Sequence, residues 1–226
     1  FDEGLIKRPA DIFTLAARDA TGNAKLETRD GYGKKSVEKL FSAIEARRKI
    51  SLDRFLFALG IRHVGETTAR ALAKAFGTYE AFRDAIAAAS KQAPGPDYLR
   101  LTHLKGLGPK SAETLMQYAK SHTHGGDLFA HRPNGLAALV SSVKGLRSST
   151  ADTLAESFAT VDDCLDVARR AADQFPGDDY RAFAGLSEIG PVAADALIAF
   201  FDEKHNTDAV DDLLREVEVQ PFERPR

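Results

Sequence analysis

The sequence predicts an all-α fold of roughly a dozen short helices. Apolar residues recur at helical spacing, as Phe55, Leu56 and Leu59 do in LDRFLFALGI. Runs of β-branched residues with two-residue alternation, which indicate strands, do not occur. Glycine-containing turns separate the helical segments, and the segment SVEKLFSAIEARRK begins at Ser36, a residue type that favours helix starts.

Length and composition are those of an ordinary globular chain. Its 226 residues suffice for one or two domains, and 43% hydrophobic with 28% charged residues is usual for that class. No apolar run approaches the roughly 18 residues of a membrane span. The N-terminus lacks a secretory signal and does not begin with Met. We therefore expect a cytoplasmic protein, of which this chain is a piece.

The single cysteine, Cys164, excludes a disulfide framework and a thiolate zinc site within these residues. It lies on an apolar helical stripe, which predicts a small buried core residue. His122, His124 and His131 are irregularly spaced and have almost no carboxylates beside them, so no metal site is predicted.

The net charge of −2 is unevenly distributed. Residues 1–51 carry +3, residues 52–122 carry +4, residues 134–205 carry −6 and residues 206–226 carry −3. Such a chain usually presents one charged face to a partner and another to water. An anionic partner is therefore expected at the basic first half.

An internal duplication organises the chain. At an offset of 82 residues and without gaps, residues 68–115 match residues 150–197 at 18 of 48 positions. The predicted divisions are N-terminal helices with a first complete hairpin (1–51), a basic first copy (52–122), a linker (123–133), an acidic second copy (134–205), and a C-terminal helix and tail leading toward a further domain (206–226).

The stretch HLKGLGPKSAETL at 103–115 illustrates the repeated element. One helix ends, Gly106 and Gly108 adopt backbone angles that are costly for other residues, and a second helix begins at once. Leu107 is expected to anchor the turn in the core, and Ala112 to let the helices pack closely. The N–H groups of the turn and of the new helix then point outward, where they form an anion site that fits a phosphate.

This helix-hairpin-helix pattern occurs five times, as hairpin 1 (31–37), hairpin 2 (63–69), hairpin 3 (106–112), hairpin 4 (145–151) and hairpin 5 (188–194). Hairpins 1 to 3 are basic and well formed, and their predicted DNA-binding residues are Gly31, Gly33, Lys34, Lys35, Ser36, Arg62, His63, Gly65, Thr67, Gly106, Gly108, Lys110 and Ser111. Weaker candidates are Gly145, Arg147, Ser148 and Gly190. A bulkier residue at Gly33, Gly65 or Gly108 is expected to strain the hairpin.

Five hairpins in one chain make double-stranded DNA the expected ligand. Sequence-independent binding requires repeated sites for backbone phosphates rather than side chains that contact bases. In hairpin 5, Glu188 would repel a phosphate, and Val192 and Ala193 replace the Lys-Ser pair of hairpin 3. The two hairpins of the acidic half could therefore be structural or DNA-binding.

The segment FLFALGIRHVGETTARALAKAFG at 55–77 resembles a characteristic segment of bacterial NAD-dependent DNA ligases. EGLIKRPADIF at 3–13 is similar to the stretch after that family's first hairpin, and GYGKKSVEKLFSAIEARRK at 31–49 to its next hairpin and helix. IGPVAADALIAFFDEKHN at 189–206 is similar to its last. The resemblance covers nearly all the chain outside the duplication.

This resemblance implies an all-α region of tandem helix-hairpin-helix motifs, RuvA domain 2-like, that holds nicked DNA for a ligase active in replication and repair. It places NAD, Mg and Zn in nucleotidyltransferase, OB-fold, zinc and BRCT parts outside this chain, which has no lysine-x-aspartate-glycine nucleophile. No catalytic residue and no cofactor is therefore expected here. The expected partners are double-stranded DNA and the other ligase domains, with no membrane, for a monomer.

The duplication departs from the family, which has one hairpin after the 55–77 segment. Either copy could therefore supply the family's last hairpin. Arg29 also stands where an apolar residue usually precedes the first glycine pair. Two alternatives stay open: a tandem-hairpin module of another DNA repair or recombination protein, and a helical scaffold that docks proteins, which the acidic second half favours.

Overall fold

The computed structural model describes residues 5–22, 25–122 and 133–223, and within these ranges the regular secondary structure is almost entirely helical. The helices are α1 (Asp11–Thr21), α2 (Lys34–Glu45), α3 (Leu52–Ala58), α4 (Glu66–Phe76), α5 (Tyr79–Lys91), α6 (Pro96–Thr102), α7 (Gly108–Ser121), α8 (Leu136–Ser142), α9 (Thr150–Ser157), α10 (Val161–Ala171), α11 (Asp178–Ala184), α12 (Gly190–Asp202) and α13 (Lys204–Glu216). A 3₁₀ helix, Leu26–Thr28, precedes α2. The predicted all-α fold is confirmed.

Two short strands are an addition that the sequence did not indicate. β1 (Lys49–Ser51) and β2 (Glu218–Gln220) pair in parallel, with Ile50 opposite Val219. Three residues are too few for a visible alternation of apolar and polar side chains, so the sequence pattern does not indicate these strands. Within the described ranges, every helix is too short or too polar to cross a bilayer.

The chain folds into two compact units that do not follow the two copies of the repeat. Unit 1 contains Phe1–Lys91 and Asp179–Arg226, and unit 2 contains Gln92–Asp178. Unit 1 therefore joins α3, α4 and α5 of the first copy with α11 (from Asp179 onward) and α12 of the second. Unit 2 joins α6 and α7 of the first copy with α8, α9 and α10 of the second.

In unit 1, the contact between the copies is aromatic. α3 packs against α4, and α5 packs against both α4 and α12. The ring of Phe82 on α5 lies 5.7 Å from that of Phe201 on α12, and Phe76 stacks 5.8 Å from Phe183 on α11. Such ring pairs stabilise a contact beyond their buried area. The second copy therefore supplies α12, the helix that packs against α5.

The N-terminal part of unit 1 is held by a small cluster of Leu15, Leu26 and Val37, through which α1 and α2 pack. Arg48, just after α2, adds a polar junction. Its guanidinium donates to the Phe13 carbonyl oxygen at 2.7 Å, and its Nη1 donates to the Glu216 carbonyl oxygen at 2.9 Å. One side chain thus links the segment after α2 to α1 and to the end of α13.

In unit 2, α10 packs against α6 and α7, and α8 packs against α9. Cys164 on α10 is fully buried in this core, as predicted, and burial raises the pKa of its thiol to about 12. At the edge of the core, Arg170 Nε donates to Asp97 Oδ2 at 2.8 Å, and Gln174 Nε2 donates to the same oxygen at 3.2 Å. These bonds connect α6 to α10 and the segment after it.

Candidate nucleic-acid interface

The first position of every hairpin has a left-handed backbone. The residues and their φ angles are Gly31 (83°), His63 (64°), Gly106 (93°), Gly145 (103°) and Glu188 (67°). His63 and Glu188 are the only residues other than glycine with positive φ in the described part of the chain. The hairpin geometry is therefore maintained even where the sequence has no glycine, and all five hairpins begin alike.

The second position differs between hairpins. Gly108 and Gly190 are also left-handed, with φ of 65° and 68°. Gly33 and Gly65 instead have φ of −86° and −84°, which any residue adopts, and a Cβ at either would meet no atom within 4 Å. The prediction that bulk strains the hairpin therefore holds for Gly108 and is wrong for Gly33 and Gly65.

The residue between these two positions anchors most of the hairpins. Val64, Leu107 and Ile189 are buried, as expected for Leu107, and Leu146 is half-buried against the core of unit 2. Tyr32 in hairpin 1 differs, because 46% of it is exposed. Hairpin 1 is thus attached to its unit less deeply than the other four.

A small or compact residue follows four positions after the second hairpin position. Ala69, Ala112 and Ala194 have no exposed area, and Val37 is buried at the corresponding place in hairpin 1. Because these side chains are short, the helix of each hairpin can approach its neighbour closely. The close helix packing predicted from Ala112 is the arrangement found.

The rim of hairpins 1 to 3 carries exposed cations and hydroxyls. Exposed side chains are those of Lys34, Lys35, Ser36, Arg62, His63, Thr67 and Lys110, whereas Ser111 is partly buried. α2, α4 and α7 start at these hairpins, and none of the three has a side-chain hydrogen bond at its N-cap. The N–H groups at those helix starts are therefore not occupied by a capping side chain.

Hairpins 4 and 5 have the same backbone but different chemistry. In hairpin 4, Arg147 and Ser148 are exposed beside the left-handed Gly145, and α9 begins at Thr150 without a side-chain cap. In hairpin 5, Glu188 is exposed at the tip, and 62% of Val192 is exposed where hairpin 3 has Lys110. Hairpin 4 is thus cationic, and hairpin 5 is not.

Each unit places two hairpins side by side, one from each copy. In unit 1, Thr68 Oγ1 at the start of α4 donates to the carbonyl oxygen of Glu188 at 3.2 Å, which joins hairpins 2 and 5. In unit 2, Thr153 Oγ1 on α9 donates to the carbonyl oxygen of Lys105 at 3.0 Å, which joins hairpins 3 and 4. In each unit, a hairpin of the first copy is therefore bonded to a hairpin of the second copy.

Several exposed cations near the hairpins were not predicted. Lys105 and Lys144 each directly precede a left-handed glycine, a position the sequence shows plainly. Arg70 and Lys74 on α4 share a helix face with Thr67 and line a cleft of about 760 Å³ with it. Their spacing of three and four residues was the available signal.

The structure gives no support for a metal site. In the described part of the chain, no group of three His, Cys, Asp or Glu side chains is placed to hold an ion. His122 directly follows α7 and is stacked on Tyr118, with ring centroids 4.0 Å apart. His124 and His131 lie outside the described residues.

The fold and its five hairpins define a tandem helix-hairpin-helix protein, and residues 54–125 match the family model described as the helix-hairpin-helix motif. The whole chain is similar to a segment of bacterial DNA ligases. It is 39% identical over 226 residues to the DNA ligase of Caulobacter vibrioides, and 36% identical over 242 residues, covering 97% of the chain, to that of Methylobacterium nodulans. The resemblance to DNA ligases deduced from the sequence is thereby confirmed.

The similarity has a defined extent. The chain spans 29% of the Caulobacter ligase and 28% of the Methylobacterium ligase. The match to the Caulobacter ligase covers 100% of this chain, so it runs through both copies of the repeat. No solved structure matches the chain.

Proposed function

We propose that this chain is the region of a DNA ligase that grips double-stranded DNA through its backbone phosphates, without preference for sequence. The observation that carries the proposal is the recurrence of a left-handed turn at five helix starts, four of them with an exposed cation beside the turn. A ligand with phosphates at regular intervals matches repeated sites of this kind. The similarity to DNA ligases supports this ligand over a protein partner.

The open space at hairpins 1 and 2 supports close approach of a phosphate. Gly33 and Gly65 have ordinary backbone angles and no protein atom near a would-be Cβ, so the fold itself does not require glycine there. A side chain at either position would project into solvent beside the N–H groups that open α2 and α4. Glycine leaves that approach free for a phosphate oxygen.

The hairpins differ in the charge that they expose to a ligand. Lys34, Lys35 and Arg62 in unit 1, and Lys110 and Arg147 in unit 2, are exposed next to a hairpin backbone. Hairpin 5 carries Glu188 instead, so its role in this proposal is to support hairpin 2 through the bond from Thr68. DNA contact is accordingly assigned to hairpins 1, 2, 3 and 4.

The remaining functions of a ligase are assigned to other parts of the longer protein. The described residues offer no cluster of metal ligands, and the one thiol, Cys164, is buried with its pKa raised to about 12, so the residues present do not fit a zinc site. NAD, Mg and Zn, nick sealing in replication and repair, and contacts with other ligase domains belong to that proposal. So do a monomeric state and a place in the bacterial cytoplasm.

The salt dependence of DNA binding tests the assignment of cations. Lys34→Ala, Lys35→Ala and Lys110→Ala are each expected to weaken binding to a duplex and to lower the slope of log K against log salt by about one ion. Lys39→Ala removes an exposed lysine further along α2 and is expected to leave the slope unchanged. The slope is measured by fluorescence anisotropy of a labelled duplex across a range of KCl concentrations.

Identical slopes in wild type, the three hairpin variants and Lys39→Ala would contradict contact between these hairpins and phosphates. A loss of the same size in all four lysine variants would also contradict it, because only overall charge would then matter.

A further inference from the structure

The chain enters unit 2 at Gln92 and leaves it at Asp178, and the two segments at these ends pair with each other inside unit 2. The backbone N–H of Gly95 donates to the carbonyl oxygen of Gln174 at 3.0 Å, and the N–H of Gly177 donates to that of Gln92 at 2.9 Å. Gln92 and Gln174, like Gly95 and Gly177, are equivalent positions of the two copies, 82 residues apart. The two Gln-x-Pro-Gly segments therefore pair as related halves of one crossover.

Glycine is required at this crossover. A Cβ on Gly95 would lie 2.5 Å from Gln174 Oε1, and a Cβ on Gly177 would lie 2.2 Å from Gln92 Oε1. Gln174 Oε1 also accepts from the backbone N–H of Asp97 at 2.7 Å, so its side chain is not free to move away. Both copies thus keep the residue that lets the two segments approach.

Charges at equivalent positions are reversed between the units. In unit 2, Lys120 at the end of α7 pairs with Asp173 at 2.6 Å. The equivalent residues in unit 1 are Asp202 and Lys91, which line one cleft together, and Ser90 Oγ donates to Asp202 at 3.0 Å. If each copy folded with its own two halves, Lys120 would instead meet Lys91, and Asp202 would meet Asp173. Like charges would then oppose each other in both places.

In each unit, the side chains that meet between helices of different copies also match in size. In unit 1, Phe82 on α5 meets Phe201 on α12 edge to face. The equivalent residues in unit 2 are Cys164 and Ala119, both fully buried in one core cluster. If each copy folded with its own halves, Phe82 would face Ala119 and Phe201 would face Cys164, so the ring contact between Phe82 and Phe201 would be lost.

We infer that these reversed charges and matched sizes direct the two copies to exchange halves, so that residues 92–178 form a second complete hairpin pair inserted into the first. The insertion point is the Gln-x-Pro-Gly crossover. Unit 1 is then completed by hairpin 5, and unit 2 by hairpins 3 and 4. This inference concerns the fold and does not depend on the DNA-binding proposal.

Disulfide formation in the full chain tests which halves lie together. In a Cys164→Ala background, the pair Ser90→Cys and Asp202→Cys joins α5 to α12, and the pair Ser90→Cys and Lys120→Cys would join α5 to α7. Monomeric protein is oxidised and then separated on a non-reducing gel. If the copies exchange halves, only the first pair forms a cross-link. A cross-link in the second pair, whether or not the first pair also forms one, would overturn the inference.

Charge reversal tests whether the side chains direct the exchange. The double variant Lys120→Asp with Asp202→Lys places like charges together in both units, so its urea midpoint is expected to fall below wild type. Adding Lys91→Asp and Asp173→Lys restores both opposite-charge pairs and is expected to restore the midpoint. If each copy folded with its own halves, the double variant would remove repulsion and raise the midpoint. A raised or unchanged midpoint in the double variant therefore contradicts the inference.

Discussion

At the scale of single residues, His63 and Glu188 show that the hairpin requires a particular backbone conformation at its first position. Both adopt a left-handed backbone that other hairpins assign to glycine. For an L-residue this conformation costs roughly 1 to 2 kcal/mol, because the Cβ crowds the following carbonyl oxygen. The hairpin backbone is thus imposed by the helices on either side, and the residue at its first position conforms to it.

Replacing Glu188 with glycine should therefore stabilise unit 1. Glu188→Gly is expected to raise the free energy of unfolding by about 1 kcal/mol through relief of this strain. Glu188→Gln keeps the strain while removing the charge, and it is expected to differ little from wild type. Urea unfolding followed by circular dichroism measures both, and equal stabilities of the two variants would show that strain at 188 is negligible.

Gly33 and Gly108 should respond differently to alanine. Gly108→Ala places a Cβ on a left-handed backbone (φ 65°) and is expected to lower the free energy of unfolding by about 1 kcal/mol. Gly33→Ala is expected to leave stability nearly unchanged while weakening DNA binding, because its Cβ would point into open space beside the start of α2. The comparison needs urea unfolding and duplex titration on both proteins, and a destabilised Gly33→Ala would refute the role given to Gly33.

At the scale of elements, Arg48 is the main polar junction at the N-terminal end of unit 1. Besides its bonds to two backbone carbonyl oxygens, Arg48 Nε contacts Glu45 at 2.7 Å and Nη1 contacts Glu216 at 3.0 Å. The pKa of Arg48 is raised above its ordinary value, first by the hydrogen bond to Glu45 and then by that to Glu216. The guanidinium also lies 5.5 Å from the centre of the Phe13 ring.

Removing this junction should loosen α1 and the end of α13 together. Arg48→Ala is expected to lower the free energy of unfolding by about 2 kcal/mol, because two carbonyl oxygens and two carboxylates lose a charged donor. Arg47→Ala removes the exposed neighbouring arginine and serves as the control. Urea unfolding measures the difference, and equal effects of the two substitutions would contradict the junction.

Asp97 makes unit 2 sensitive to acid. Its hydrogen bonds with Arg170 hold the pKa of the carboxyl below the ordinary value of 3.8. A lowered folded-state pKa gives stability that is present above the unfolded pKa and is lost as the pH falls through the folded pKa. The advantage of wild type over Asp97→Asn should thus be constant from pH 7 to about pH 5 and shrink below about pH 4.

Urea unfolding at pH 7, 5 and 3 provides this comparison. Asp152→Asn, which removes an exposed acid on α9, controls for the loss of one negative charge. A difference between wild type and Asp97→Asn that is as large at pH 3 as at pH 7 would contradict the ionic role of Asp97.

At the scale of the whole molecule, the helices, the five hairpins and the duplication could be predicted because each leaves a pattern in the sequence itself. Helix spacing and Gly-x-Gly turns are visible within short windows, and the duplication is visible as identities at one constant offset. The exchange of halves was not predicted, since it depends on pairs such as Lys120 with Asp173 that are 53 positions apart in the numbering and become neighbours only in the fold. The backbone of Gly33 was misjudged because a Gly-x-Gly pattern does not specify which glycine is left-handed.

The most direct test of the account is the binding of this chain to DNA. A nicked and an intact duplex of the same sequence are titrated by fluorescence anisotropy, at low and at near-physiological salt. A grip on backbone phosphates predicts binding to both duplexes and a steep loss of affinity as salt rises. Absence of binding to either duplex at low salt would contradict the account and would leave the hairpins as a scaffold.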